Sequence, residues 1–326
     1  MKNLCLISLL FFQLICLSQI NYALHDSLLL EGYRSYKTKS YQDAISLYKQ
    51  AFLLNGAHSS FDYLQAANSA AMINDADLCE KWLSQSIQYK KTEFKTIESF
   101  SENPIFQKCT QDIKAEYQDL VNLYYRSIDN LGVYNAIQDL IKRDQFTRKI
   151  SNYYMGVSEK AQEKAFDEYF DAQQINDTIA MAKNKAILWP KVDKKIKSLE
   201  LTVMKNVDSL NMLDLMEITS IHGWQEGAHI LLWHQRGTYG DSNWIWDYFI
   251  PLINNGIEKG RVSPSFWAIF EDFKSIQEKG ISLYGYHPGK VNPQEVNKNR
   301  KLIGLPKLTD TEIEYRNNNP YGGRMF

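Results

Sequence analysis

Asp144 and Arg148 stand four residues apart in the stretch Asp144-Gln145-Phe146-Thr147-Arg148, so a helix would place both on one face with Gln145 beside them. Two kinds of chemistry fit that spacing. One is an intrahelical ion pair of small energetic effect. The other is a polar cluster facing a cleft, with Arg148 free to grip a carboxylate through its planar fork. A second concentration lies downstream, where His222, His229 and His234 crowd together near Glu226 and Asp241. Glu226-x-x-His229 is one half of a carboxylate-bridged di-metal motif, but no second Glu-x-x-His follows and no His-Glu-x-x-His is present. His229 and His234 are five apart and point to different sides of a helix. The expectation is therefore no metal and no cofactor. Each histidine is expected to be hydrogen-bonded and structural, with His234 the first to examine for proton transfer.

Five of the seven tryptophans fall between Trp224 and Trp267. Such rings can stack on sugars. Helical spacing instead favours a helix–helix core, with Trp244, Tyr248 and Pro251 against Trp267 and Phe270. Gly-x-Ser-x-Gly, a Gly-Lys-Ser/Thr loop and a glycine-rich strand-to-helix turn are all missing, which excludes the familiar serine-hydrolase, phosphate-loop and dinucleotide classes.

The elements that would position these groups are helical. The chain has 326 residues, 44% of them hydrophobic and 23% charged, which suits two globular domains. The formal net charge of -1 and the interleaving of acids with clusters such as Lys194-Lys195-Ile196-Lys197 argue against a nucleic-acid partner. After Met1-Lys2-Asn3, residues Leu4 to Leu17 form an apolar run broken only by Ser8 and Gln13. It is short for a bilayer span and fits a signal peptide of residues 1–18, with Ser18 before the cut and Gln19 after it. Cutting after Ala23 is a second option. Cys16 follows Ile15, which does not suit a lipoprotein signal. The expectation is an exported protein, periplasmic or secreted, with no transmembrane segment. Cys79 and Cys109 would remain, either bridged or as two buried thiols.

Internal periodicity marks residues 24–131. Gly32 followed by Tyr41-Gln42-Asp43-Ala44-Ile45-Ser46-Leu47-Tyr48-Lys49-Gln50-Ala51 resembles a tetratricopeptide repeat. Gly32 allows a close helix approach, Ala44 sits at the tight crossing, and Tyr48 and Ala51 follow on the same face. A weaker copy has Tyr63, Ala67 and Ala70, a turn at Asn74-Asp75, then Cys79, Leu83 and Ser86, 35 residues after the first set. Two such units leave an end uncovered. The stripe Ile113, Tyr117, Leu120, Val121, Tyr124 and Ile128 is expected to form a capping helix within 111–131, after the break at Asn103-Pro104.

Gly132 reads as the boundary to a second, multi-helix domain over 133–316, with residues 317–326 a mobile tail. Caps are expected at Ser242 or Asn243, at Ser263-Pro264 and at Asn292-Pro293, and stops at Gly260, Gly280 and Gly304. Trp189-Pro190 should interrupt a long amphipathic stretch and Pro251 should kink its helix. Ile281 to Tyr286 with Pro288-Gly289 suggests one small β-hairpin. In this half the segments Asp144 to Arg148, Asp208…Asn211…Ile218…His222-Gly223-Trp224, Leu231 to Gln235, Leu283-Tyr284-Gly285 and Asn299 to Leu305 are similar, in order and spacing, to an uncharacterised bacterial helical domain family, from which Gln225 departs where proline is common. The resemblance implies a domain boundary and no reaction. It does select a candidate polar site of Asp144, Gln145, Arg148, His234, Tyr284 and Arg300.

The fold class expected is thus all-α, with tetratricopeptide-like repeats followed by a multi-helix domain. The function expected is docking of a protein or peptide partner in the cell envelope. The alternatives are an enzyme or small-ligand site in which Arg148, His234, Tyr284 and Arg300 converge, and a structural envelope component.

Overall fold

The computed structural model describes residues 21–319 apart from 55–57, 155, 157, 175–176, 189, 192 and 226. The expected signal peptide, the end of the expected tail, and the residues Trp189 and Glu226 lie outside the described residues. What is described is all-α, with two strands of two residues each. No helix among the described residues is long and apolar enough to cross a membrane.

The front half is made of α1 (Tyr22–Lys37), α2 (Tyr41–Phe52), α3 (Ser60–Met72), α4 (Ala76–Lys90), α5 (Phe94–Glu98), α6 (Pro104–Asp112) and α7 (Tyr117–Arg126). Helix α1 packs on α2 and α3 on α4, while α1 also touches α3. The small residues meet where the helices cross. Ala44, Tyr48, Ala51, Ala67, Ala70, Cys79 and Leu83 are wholly shut from solvent, and Ser86 is buried with them. A Cβ at Gly32 would lie only 3.1 Å from the Tyr48 ring, so the ring occupies the space that the missing side chain leaves. The Tyr48 hydroxyl donates to Gln65 Oε1 at 2.8 Å, which satisfies both groups inside the core. Cys79 and Cys109 are free thiols, both buried, and burial pushes the Cys79 thiol pKa up.

The cap differs from the single helix expected. Both α6 and α7 lie on α4, with a turn at 113–116 between them. Asn103 accepts from Ile105 N and Phe106 N, and Pro104 occupies the first helical position where its missing N–H costs nothing. The helix therefore starts earlier than the apolar stripe alone indicated. Gly132 does not break the chain either. It is the second residue of α8 (Leu131–Tyr154), where helical geometry tolerates glycine at a cost of about 1 kcal/mol.

The back half continues with α9 (Glu159–Gln174), α10 (Thr178–Leu188), α11 (Lys194–His222), α12 (His229–His234), a 3-10 turn (Arg236–Thr238), α13 (Trp244–Glu258), α14 (Ala268–Lys279), α15 (Val296–Leu302) and α16 (Asp310–Asn318). Helix α9 packs on α10, and α8 packs on α11. Helix α11 runs unbroken over 29 residues. Its N-cap is Asp193, which accepts from Lys195 N. Asn243 caps α13, which continues through Pro251. Gly280 ends α14 in the left-handed conformation. The main core joins Ile137 and Leu140 of α8, Met212 and Leu215 of α11, Leu231 and Leu232 of α12, and Trp246, Phe249 and Phe270 of α13 and α14. The tryptophans thus serve a helix-packing core. Trp246 is 1% exposed and edge-on to Phe270, although Trp244 is not part of it and stays 44% exposed.

The expected hairpin is instead a parallel pair. Strand β1 (Ile281–Ser282) pairs with β2 (Lys290–Val291) in the register Ile281 to Lys290 and Ser282 to Val291. Two strands joined by a simple turn would run antiparallel. Here the Asp272 carboxylate of α14 reorganises the connection. It is fully buried and accepts from Tyr284 N at 2.7 Å, Tyr286 N at 2.6 Å and His287 N at 2.9 Å. Gly285, at φ +63°, turns the chain back within that loop. Asn317, expected in the tail, belongs to α16 and accepts from Val291 N at 2.8 Å.

The two halves meet along α1. Arg34 donates to Glu312 through Nε at 2.8 Å and Nη2 at 2.5 Å, and to Lys307 O at 2.8 Å. Glu312 is also the carboxylate of the capping box that Thr309 opens at α16. One acid thus starts a helix and fastens α16 to α1.

Candidate functional site

Helices α8, α11 and α12 bring four of the six expected site residues together. Asp144 on α8 is 2% exposed. Its Oδ1 accepts from Arg148 Nη2 at 2.9 Å and faces His234 Nδ1 at 2.9 Å. Its Oδ2 accepts from Gln145 Nε2 at 2.7 Å and Arg148 Nε at 3.3 Å. Arg148 reaches across to α11, donating to Asp208 Oδ1 at 2.9 Å. The four-residue spacing therefore does give an ion pair, and the same arginine also bridges two helices.

Charge explains the protonation states. Burial alone would raise the Asp144 pKa, but the hydrogen bonds and charges of His234 and Arg148 outweigh it and hold the carboxyl below its ordinary range. Asp208 goes the other way, since burial raises its pKa and the attraction of Arg148 does not fully offset it. His234 meets Asp144 Oδ1 at 2.9 Å and Arg148 Nε at 3.2 Å through the same nitrogen, Nδ1, which leaves Nε2 outside both contacts. Among the described residues Nε2 has no hydrogen-bond partner, and it is not closed off from solvent.

Tyr284 and Arg300 belong elsewhere. No hydrogen bond or ion pair among the described residues joins them to the Asp144 cluster, so the four-way convergence of Arg148, His234, Tyr284 and Arg300 does not form. The Tyr284 hydroxyl donates to Glu271 Oε2, and burial together with that carboxylate raises its pKa. Arg300 on α15 donates to Pro306 O and to Tyr284 O at 2.7 Å. Burial lowers its pKa to about 10, with the neighbouring charge of Arg316 acting in the same direction. The third nitrogen, Nη2, has no hydrogen-bond partner among the described residues and is open to solvent.

Arg300 lines a cleft of about 620 Å³ between the two halves. The wall from α1 and α3 contributes Asp26, Leu29, Leu30, Tyr33, Phe61, Asp62 and Gln65, with Ser59 just before α3. The opposite wall contributes Gly285, Tyr286, Arg300, Leu305, Pro306 and Arg316, with Ser265 beside them. One wall thus carries two carboxylates and the other two guanidinium groups, with apolar surface between. Asp62 accepts from Ser59 N at 2.6 Å and Ser59 Oγ at 2.7 Å, and burial still raises its pKa. Gly32, Ala44, Tyr48 and Ala51 are all in helix contacts and line no part of the cleft.

A histidine pair missed in the sequence adjoins this acidic wall. Buried His25 lies 2.8 Å from Asp26 Oδ1 through Nδ1 and 2.8 Å from His58 Nδ1 through Nε2. The two histidines are 33 residues apart, close to one repeat period, and that spacing was the available signal. Burial, then the proximity of His25 and Lys90, lowers the His58 pKa to about 4. A lowered histidine pKa favours the folded state when the ring is neutral. This contribution is complete above the ordinary value of about 6.5 and is lost as pH falls from there to about 4. Urea midpoints measured across that window should fall with pH, and they should fall less steeply in His58→Gln. An unchanged slope would show that His58 is not the titrating group.

No group of three or more histidine, cysteine or acidic side chains among the described residues is placed to hold a metal ion. Comparison with family models, curated proteins and solved structures finds no match to this chain.

Proposed function

We infer that this is an exported binding protein whose cleft takes a short peptide with free ends. The observation that carries the reading is the opposition of charge across an apolar gap, with Asp26 and Asp62 on the repeat wall and Arg300 and Arg316 on the other. A peptide amine suits the first wall and a terminal carboxylate the second, where Arg300 Nη2 has a donor to give. Phe61 and Tyr286 offer partly exposed rings for apolar side chains. A volume near 620 Å³ lies in the range of small-ligand sites and suits two or three residues, roughly, rather than a folded partner. The apolar run Leu4 to Leu17 supports export, and the Gly32, Ala44, Tyr48 and Ala51 pattern supports a tetratricopeptide-like scaffold.

Docking of a partner protein along the open inner face of the repeats is less favoured, because this chain's own C-terminal residues already stand opposite α1 and α3. The test is calorimetric titration of the purified protein with trileucine, with its N-acetylated form and with its amidated form. Binding is expected for the free-ended peptide, weakened about tenfold by blocking either end. Phe61→Ala should weaken it further. Equal binding of all three peptides, or no binding of the free form at millimolar concentration, would overturn the reading.

A further inference from the structure

Helix α11 leaves a row of apolar side chains in solvent. Ile196, Leu199, Val203, Leu210 and Leu213 are 43% to 66% exposed, and Asn206 falls in line with them and is also exposed. The intervals alternate between three and four residues, the heptad spacing that keeps one seam turned toward a partner helix. The buried residues of the same helix, Asn211, Met212, Leu215 and Thr219, fall on another side. Single exposed leucines are ordinary on a protein surface, but a continuous row marks an interaction face. Helix α8 widens it. Arg143 reaches Asn211 and Asp214 of α11, and Phe146 and Ile150 follow Arg143 at three and seven positions, on the same side of α8. Both are exposed.

The order of charge along the row identifies what fits there. Lys194, Lys195 and Lys197 follow the cap Asp193 at its start. No lysine or arginine follows Lys205 in the helix, where Asp208, Asp214 and Glu217 stand instead. The helix macrodipole favours the reverse, acids first and cations last, so an isolated helix gains nothing from this order. A second copy running the opposite way sets each lysine end against the acidic end of its partner, whereas parallel copies set lysines against lysines. Asn206 interrupts the seam once, and a single polar position of this kind fixes register at a cost in stability. The row is ~27 Å long. Two such faces, widened by Phe146 and Ile150, bury on the order of 1,000 Å², which is what a specific interface needs. Asp214 and Glu217 beside the row disfavour an anionic lipid surface, which takes helices with lysine and arginine along the polar face.

We propose that this chain forms a two-fold symmetric dimer in which α11 pairs antiparallel with α11 of a second copy. Ile196 faces the partner's Leu213, Leu199 faces the partner's Leu210, and Val203 lies beside the partner's Asn206. The interface is isologous, so each contact occurs twice. None of these residues lines the cleft, so dimerisation and peptide binding are independent.

The test is sedimentation equilibrium of the whole protein at concentrations up to roughly 100 μM, where a dimer with a micromolar Kd is expected. Leu199→Glu combined with Leu210→Glu changes two side chains that are more than half exposed, so the circular-dichroism spectrum and urea midpoint should be kept. The Kd should rise about a hundredfold or more. Helix direction is read with a short bismaleimide, which does not reach the buried Cys79 and Cys109. Leu199→Cys mixed with Leu210→Cys should cross-link, and neither alone should. The proposal falls if the wild type stays monomeric at the highest concentration, if the folded double glutamate variant dimerises as well as the wild type, or if either cysteine variant cross-links to itself. A monomer that floats with phosphatidylglycerol vesicles would assign the face to a lipid surface and overturn the proposal too.

Discussion

Asp272→Ala is expected to destabilise the protein by about 3–5 kcal/mol, because one buried carboxylate holds three backbone N–H groups and each charge-assisted bond contributes about 1.5–3 kcal/mol. The total stays below their sum, since part of the freed loop can reach water. The three donors belong to Tyr284, Tyr286 and His287, and they fold the connection between β1 and β2 into its parallel form. Without the carboxylate, Gly285 and Tyr286 lose their place on the cleft wall. Asp272→Asn keeps one acceptor oxygen but turns an NH₂ group toward donors, so its loss should be intermediate. Urea unfolding gives the energy, and amide hydrogen exchange at the three donors gives the location. A midpoint within error of the wild type, with those amides still protected, would remove Asp272 from this role.

The second large effect is expected at Tyr48. Tyr48→Ala empties a wholly buried site facing Gly32 and should cost about 3–5 kcal/mol. It also strands Gln65 Oε1 in the core. Tyr48→Phe keeps the ring and loses only the hydroxyl, so its cost should be about 1–3 kcal/mol, that of one buried acceptor left unpaired. The difference between the two variants separates packing from hydrogen bonding. If Tyr48→Ala cost no more than Tyr48→Phe, the ring would not be what spaces α1 from α2.

These two residues differ in how visible they are in the sequence. Tyr48 was legible, because its neighbours Ala44 and Ala51 recur at helical spacing and Gly32 precedes them by a fixed interval. Asp272 carried no signal, since an aspartate within a helix looks solvent-exposed until the loop that it gathers is known. His25 and His58 fall between these cases. Their spacing near one repeat period was present, but the intervening turn hid that both rings meet.

The candidate polar site divides in the same way. Asp144, Gln145 and Arg148 share one helical turn, and His234 was singled out by its segment. Their meeting depends on α8, α11 and α12 packing through Leu140, Leu215 and Leu232. Tyr284 and Arg300 were drawn into the same expected site. They lie instead where the Asp272 loop and α15 face α1 and α3.

The caps expected at Ser263-Pro264 and Asn292-Pro293 do not form, because those helices start later, after Trp267 and Glu295. Sequence alone determined the helical character, the cap at Asn243, the stops at Gly260, Gly280 and Gly304, and the small residues where the front helices cross. Each of these depends on side chains three or four positions apart, or on the intrinsic backbone freedom of glycine and proline, and a linear string carries such information directly. Tertiary structure alone decided that Arg34 meets Glu312 across 278 residues, that the strands run parallel, that the polar residues split into two groups, and that a cleft of opposite charges lies between the halves. Those outcomes follow from which apolar faces bury one another. That burial is non-directional and is set by the whole chain, so spacing along the sequence does not specify it.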